Sequence, residues 1–229
     1  MNTKGQTDRF ERKFFVPTSS ISSVDTLIKL HPALFRPLYY ERRVNNIYFD
    51  TILLEHYSDH VAGVASRSKV RIRWYGEMFG MVQHPVLEIK MKQGEVGMKK
   101  SFPLLPFNCK SSLHQYILPE LLERSSISEY WKERLQELRP VLLNSYLRRY
   151  WISFDNSVRL TVDRDWLSYY LATSPNPELL SRVIHEGSIL EMKYSVKDQK
   201  KASHIASRWP WRLTRNSKYV IALEEFILK

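Results

Sequence analysis

The feature that most narrows the fold is an alternation. Residues 68–75 read Ser-Lys-Val-Arg-Ile-Arg-Trp-Tyr, so Lys69, Arg71 and Arg73 interleave with Val70, Ile72 and Trp74. Successive side chains of a strand point to opposite faces. The segment therefore makes a strand with one cationic face and one bulky apolar face. The pattern recurs along the chain. Glu88, Lys90 and Lys92 oppose Leu87, Ile89 and Met91, and Arg9, Glu11 and Lys13 share a face although Arg12 breaks the alternation. Tyr146 falls with Arg148; Arg159, Thr161 and Asp163 oppose Val158, Leu160 and Val162; Glu191 and Lys193 oppose Leu190, Met192 and Tyr194.

In a one-sided sheet such a polar face simply meets water. Two features argue for more. A solvated face normally mixes both signs, whereas here cations dominate with single carboxylates among them. The opposite faces are bulky, as suits a sheet covered from outside by helices. A closed barrel with a polar lumen satisfies both conditions and removes sheet edges. The expected fold is α+β: a closed antiparallel β-barrel of about eight strands forming a basic tunnel, with helices packed outside, as a single domain over residues 1–229.

Pattern and punctuation predict strands over 9–16, 43–50, 68–75, 85–92, 96–102, 142–154, 157–163, 166–171, 188–195 and 218–227. Helices are predicted over 19–30, within 112–138 and over 198–207, with a polar loop at 173–178 and a short helix after it.

Lys and Arg number 35 against 24 Asp and Glu, a formal net charge of +11 carried inside the strands rather than in a tail. Such an excess serves a polyanion. Two unit charges 4 Å apart repel by roughly 4 kcal/mol at an effective dielectric near 20, so cations crowded on an enclosed face call for an anion between them. Phosphate oxygens suit, because Arg grips them with paired hydrogen bonds. The carboxylate minority then has a use: acids among phosphate-binding cations can hold Mg²⁺ or Mn²⁺.

Other chemistries are excluded or recede. A single cysteine, Cys109, rules out an internal disulfide framework and a multi-cysteine zinc site. The seven His form no His-Glu-x-x-His pattern, and seven Gly supply neither a P-loop nor a Rossmann fingerprint. The six Trp are expected as packing residues. No apolar run approaches the ~20 residues of a membrane helix, and the polar N-terminus has no secretory apolar stretch. The expectation is a cytoplasmic protein without membrane insertion.

Taken together in order, RFERKFFV, NNIYFDT, KVRIRWYG, VLEIKMK, GMKKSF, SYLRRYW, VRLTVD, ILEMKY and NSKYVIAL resemble the VTC (vacuolar transporter chaperone) domain. This is the polyphosphate polymerase branch of the CYTH and triphosphate tunnel metalloenzyme superfamily. The resemblance runs from about residue 9 to 226. It implies a tunnel that binds triphosphate or polyphosphate through Lys13, Arg71, Arg73, Lys90, Lys99, Arg148, Arg159, Ser217 and Lys218. It also implies a hydrogen bond from Tyr146 to a phosphate and a divalent metal on Glu191. Glu11 or Glu88 is the expected partner ligand. Hydrolytic tunnel enzymes open with Glu-x-Glu-x-Lys; here the window reads Arg9-Phe10-Glu11-Arg12-Lys13, which fits the polymerase branch better.

The implied reaction transfers the γ-phosphoryl group of ATP to a growing polyphosphate chain, with Arg71, Arg73, Lys90, Tyr146, Arg148 and Lys218 as the catalytic set and Mn²⁺ or Mg²⁺ as cofactor. The expected partners are ATP and inorganic polyphosphate or triphosphate, and any membrane delivery of product would need a separate membrane protein. Three alternatives stand beside it: a triphosphatase or polyphosphatase of the same superfamily, a non-catalytic polyphosphate-binding module, and nucleic-acid binding. The pairing of single acids with basic clusters argues against nucleic acid.

Overall fold

The computed structural model describes residues 9–94, 96–110, 113, 116–171, 181–215 and 217–228, and all structural statements below concern these. In chain order they form β1 (Arg9–Val16), α1 (Ile21–Lys29), β2 (Arg36–Asp50), α2 (Glu55–Ala62), β3 (Ser66–Tyr75), β4 (Met81–Val82), β5 (Val86–Gln93), β6 (Val96–Pro103) and β7 (Phe107–Asn108). Then follow α3 (Ile117–Arg124), α4 (Glu129–Leu135), β8 (Arg139–Ile152), β9 (Val158–Tyr170), β10 (Arg182–His185), β11 (Ser188–Ser195), α5 (Gln199–Ala206), β12 (Leu213–Thr214) and α6 (Lys218–Ile227). The protein is mixed α+β, built on a large antiparallel sheet.

The hydrogen-bonded strand order is β12-β1-β11-β9-β8-β2-β3-β5-β6, with β10 on β9 and a separate β4–β7 ribbon. This order has two ends, so the expected closed barrel is not completed by hydrogen bonds among the described residues. One end is a two-residue strand, and the other, β6, pairs with β5 alone.

Contacts divide the chain into two compact units. The first comprises described residues of 1–42, 147–166 and 185–216. In it β1 runs antiparallel to β11, and β11 to β9. The apolar faces of these strands supply Phe14, Val16, Leu160, Val162, Leu190 and Met192 to a core closed by Val24 and Ile28 of α1, Ala202 and Ile205 of α5, and Trp209 and Trp211. The helices are amphipathic and bury the stripe that meets the sheet. Gly187, between β10 and β11, has φ of +73°, and a Cβ there would lie 2.6 Å from the Val16 carbonyl oxygen. Only glycine meets both demands without strain.

The second unit comprises described residues of 43–146, 167–184 and 217–229. Here β2 pairs β3, β3 pairs β5, and β5 pairs β6. Val70, Ile72 and Trp74 of β3 and Leu87 and Ile89 of β5 are buried against Ile117, Leu118, Leu121 and Leu122 of α3 and Leu135 of α4. Burying each such side chain stabilises by roughly 1.5–3 kcal/mol. The predicted faces are therefore correct: the bulky face meets helices, and the charged face lies opposite.

Several boundaries move. Residues 218–227, expected as a strand, are helix α6. Ser217 caps it, accepting from the Val220 N–H at 3.4 Å. Tyr219, Ala222 and Leu223 are buried at helical spacing. The β-branched Val220 and Ile221 between them suggested a strand, and the helical packing stripe prevails. β2 begins at Arg36 rather than 43, β9 is continuous where two strands were expected, and α2 and β10 were not anticipated. The loop expected at 173–178 lies outside the described residues; a short helix was expected after it, and there residues 179 and 180 also lie outside them and Arg182 begins β10. No helix among the described residues is long and apolar enough to cross a membrane.

Candidate functional site

The charged faces form one cluster in each unit. In the second unit the strand register sets the pattern. Arg71 lies opposite Glu88 on β5 and Tyr48 on β2; Lys69 lies opposite Lys90, and Lys90 opposite Lys99 on β6. Glu88 is the carboxylate on which the cations of this patch converge. Arg71 binds it from Nε at 2.7 Å and Nη2 at 2.6 Å, Lys99 Nζ pairs with its other oxygen, and Arg73 Nη1 lies 3.6 Å away. The Glu88 side chain is 8% exposed and those of Arg71 and Arg73 14% each. Around Glu88 this face is therefore not a solvated one, while Lys90 and Lys99 at its margin are exposed. Burial alone would raise the Glu88 pKa, but Arg71, Arg73 and Lys99 outweigh it and hold the carboxyl well below its ordinary range. Burial likewise works against a charged Arg71, and the neighbouring Tyr48 and Glu88 more than compensate.

Arg73 is held differently. Its Nε donates to Asn46 Oδ1 at 2.9 Å and its Nη2 to the Tyr146 hydroxyl at 3.3 Å. Asn46 in turn donates from Nδ2 to Asn144 Oδ1 at 2.9 Å. Lys218, at the first turn of α6, lies 4.8 Å from the Tyr146 ring centroid, a cation–π contact. Lys69 Nζ donates to Ser217 Oγ at 2.7 Å. Helix α6 is anchored by Tyr219, which stacks on Tyr48 and donates to the buried Asp50 carboxylate. Asp50 also accepts the N–H groups of Thr51, His56 and Tyr57, so one buried carboxylate joins α6 to the start of α2.

In the first unit the register places Lys13 opposite Glu191 and Glu11 opposite Lys193. Glu191 and Lys193 in turn face Thr161 and Arg159 on β9. Lys13 Nζ lies 2.8 Å from Glu11 and 3.8 Å from Glu191; Lys193 pairs with Glu191 and reaches Glu11 at 3.7 Å. Burial would raise the Glu191 pKa, yet Lys193, Lys13 and Arg148 lower it well below the usual range. Arg148 makes a two-pronged bond to Asp163, Nε to Oδ1 at 2.5 Å and Nη2 to Oδ2 at 2.7 Å. The Thr161 hydroxyl is buried without a hydrogen-bond partner.

The two clusters differ in charge balance. In the first, Lys13 and Lys193 pair with Glu11 and Glu191, and Arg148 pairs with Asp163. Around Glu88, three cations share one carboxylate.

Of the residues singled out from sequence, Arg71, Arg73, Lys90, Lys99, Tyr146, Ser217, Lys218 and Glu88 fall in the second unit. Lys13, Arg148, Arg159, Glu191 and Glu11 fall in the first. Lys90 and Arg159 are exposed. No group of three or more His, Cys, Asp or Glu that could hold a metal ion lies together among the described residues. The Arg9 side chain lies outside what is described. Sequence reasoning missed Asn46, Asn144, Tyr48 and Asp50. Their signal was present: Asn46, Tyr48 and Asp50 sit at alternate positions of one strand.

Comparisons with known proteins bear on the fold and the family. No curated protein matches the sequence. A proposed adenylate cyclase from Bacillus halodurans superposes with a TM-score of 0.58 at 13% identity, over 94% of this chain and 97% of that one. A second, from Vibrio parahaemolyticus, gives 0.54 at 9% identity over 96% and 99%. A protein of Pyrococcus horikoshii OT3 gives 0.52 at 12% identity over 95% and 99%. At such identities the likeness carries the fold alone. The family model described as the VTC domain matches residues 8–227, and the chain belongs to that family.

Proposed function

We propose that this chain is a metal-dependent inorganic polyphosphate polymerase domain. In the reaction, the bond between the β,γ-bridging oxygen and the γ-phosphorus of ATP breaks. A terminal oxygen of the polyphosphate chain forms the new bond to that phosphorus, and ADP leaves. The acceptor oxygen is already anionic and needs no general base. Phosphoryl transfer of this kind asks for alignment and charge neutralisation.

The observation that carries the reading is the convergence of Arg71, Arg73 and Lys99 on the one carboxylate of Glu88. Three cations against one acid leave this point positive, and like charges set close together on a sheet destabilise it. An anion bearing several charges relieves this excess. Lys218 and Tyr146 add donors on the same patch. In the first unit, Lys13, Arg148 and Arg159 supply further cations. The tunnel implied by the family is part of the same proposal, supported in the second unit by the burial of Glu88 and the low exposure of Arg71 and Arg73.

A divalent ion fits the first unit's cluster. Glu191 and Glu11 are hard oxygen donors on adjacent strands, and Thr161 Oγ1, opposite Glu191, is buried without a partner. Mg²⁺ or Mn²⁺ held there would supply charge neutralisation for phosphate oxygens. Glu191 would give up its pairs with Lys193 and Lys13 to take the ion, whereas Glu88, gripped by two nitrogens of Arg71 and by Lys99, would serve as a counter-ion.

The test is incubation of pure protein with ATP and Mn²⁺, with products resolved on a gel. Long acid-labile polymer is expected, lost in Glu191→Gln. Orthophosphate alone would establish the hydrolase instead, and turnover unaffected by Glu191→Gln would remove the metal from that position.

A further inference from the structure

The two arginines that alternate on β3 are held by different kinds of partner. Arg71 is committed to a carboxylate, with two nitrogens on Glu88 Oε2 at 2.6 and 2.7 Å. Arg73 is held within hydrogen-bond distance by neutral oxygens, those of Asn46 and Tyr146, and its nearest carboxylate oxygen lies 3.6 Å off, already shared with Arg71. A guanidinium can only donate. Its Nε–H therefore fixes Asn46 with Oδ1 toward Arg73 and Nδ2 away, and Nδ2 donates to Asn144 Oδ1. The orientation of the buried Asn46–Asn144 pair is thus dictated by the cation it holds. The pair also bears a cost: Asn144 Nδ2 is buried without a hydrogen-bond partner, an arrangement that typically costs about 1–3 kcal/mol. A carboxylate at position 46 would let Asn144 turn and donate to it, leaving Oδ1 rather than Nδ2 as the unpartnered atom.

We propose that Asn46, braced by Asn144, is a positioning residue that aims Arg73 through a neutral acceptor and so leaves its charge available to a phosphate chain. This rests on the polyphosphate reading above and adds to it a division of labour. Arg71 with Glu88 builds the frame, and Arg73 is the guanidinium that grips the anion. An Asp at position 46 would hold Arg73 just as well and neutralise it, which is why the amide matters.

The experiment measures binding of inorganic tripolyphosphate to the full chain by calorimetry at two salt concentrations, together with thermal unfolding. Asn46→Asp is expected to keep or raise the unfolding midpoint, to weaken tripolyphosphate binding at least ~10-fold, and to flatten the salt dependence. Arg73→Gln should weaken it similarly, and the double variant should add little, since the two act as one unit. Tight binding by a stably folded Asn46→Asp protein overturns the proposal, as does full additivity.

A ligand-free arm separates this from the polyphosphate reading. The Arg73 Nε–H resonance, followed by NMR, should be protected from exchange in the wild type and in Asn46→Asp and lose that protection in Asn46→Val. Retained protection in Asn46→Val overturns the positioning role. If wild-type protein itself fails to bind tripolyphosphate, the polyphosphate reading falls, and the NMR arm decides the positioning of Arg73 by itself.

Discussion

Arg71 and Glu88 stand directly opposite one another on β3 and β5, joined at 2.7 Å through Nε and 2.6 Å through Nη2, with the Glu88 side chain 8% exposed. Removing one member of a buried pair leaves the other uncompensated, a loss of about 3–5 kcal/mol. Glu88→Gln is therefore expected to lower stability by this order in chemical denaturation. Saturating tripolyphosphate should recover more stability in Glu88→Gln than in the wild type, because the ligand supplies the missing negative charge.

The acid limb of the stability profile should report the same carboxylate. The folded-state pKa of Glu88 is depressed, with burial opposing and Arg71, Arg73 and Lys99 prevailing. Its contribution is present in full above the ordinary glutamate value of about 4.3 and is lost as pH falls below that toward the native value. Glu191 behaves alike, under Lys193, Lys13 and Arg148. Unfolding midpoints measured from pH 7 down to pH 2 should fall steeply below pH 5 in the wild type and more gently in Glu88→Gln.

Asp163 is fully buried and holds Arg148 by both nitrogens at 2.5 and 2.7 Å. Asp163→Asn keeps the shape and removes the charge. Stability should fall by about 3–5 kcal/mol, read by urea titration, and polymer formation should fall with it, because the cation expected to bind phosphate loses its brace.

Gly187→Ala should lower the unfolding midpoint by several degrees. The new Cβ would sit 2.6 Å from the Val16 carbonyl oxygen and 2.7 Å from the Phe15 ring, at φ of +73°. Strain of this kind costs on the order of 1–3 kcal/mol. Because the glycine lies on neither charged face, tripolyphosphate affinity at low temperature should be unchanged.

How far the sequence could be read follows from which forces act locally. The alternation in 68–75 and 87–92 identified both faces of β3 and β5 correctly, because side-chain period is a property of the strand itself. Helix α6 was misread, since Tyr219, Val220 and Ile221 have strand propensity. What makes them helical is a cap at Ser217 and anchorage of Tyr219 to Tyr48 and Asp50, more than 160 residues earlier in the chain. The carriers of charge were visible, but their partners were not. That Glu88 serves three cations, or that Asn46 fixes Arg73, depends on register between strands, which composition does not encode. Five of the six Trp expected as packing groups, Trp74, Trp151, Trp166, Trp209 and Trp211, are buried, and Trp131 is partly buried against the second unit's core.

The strict in-and-out order of β3 makes its length more critical than its composition. Inserting one amino acid ahead of Arg71 would turn both guanidiniums toward the space now filled by Ile72 and Trp74, and would push those two into the ionic patch. Point changes along this segment can be absorbed one contact at a time, but a frame slip of one position would invert the interior and the site in a single step.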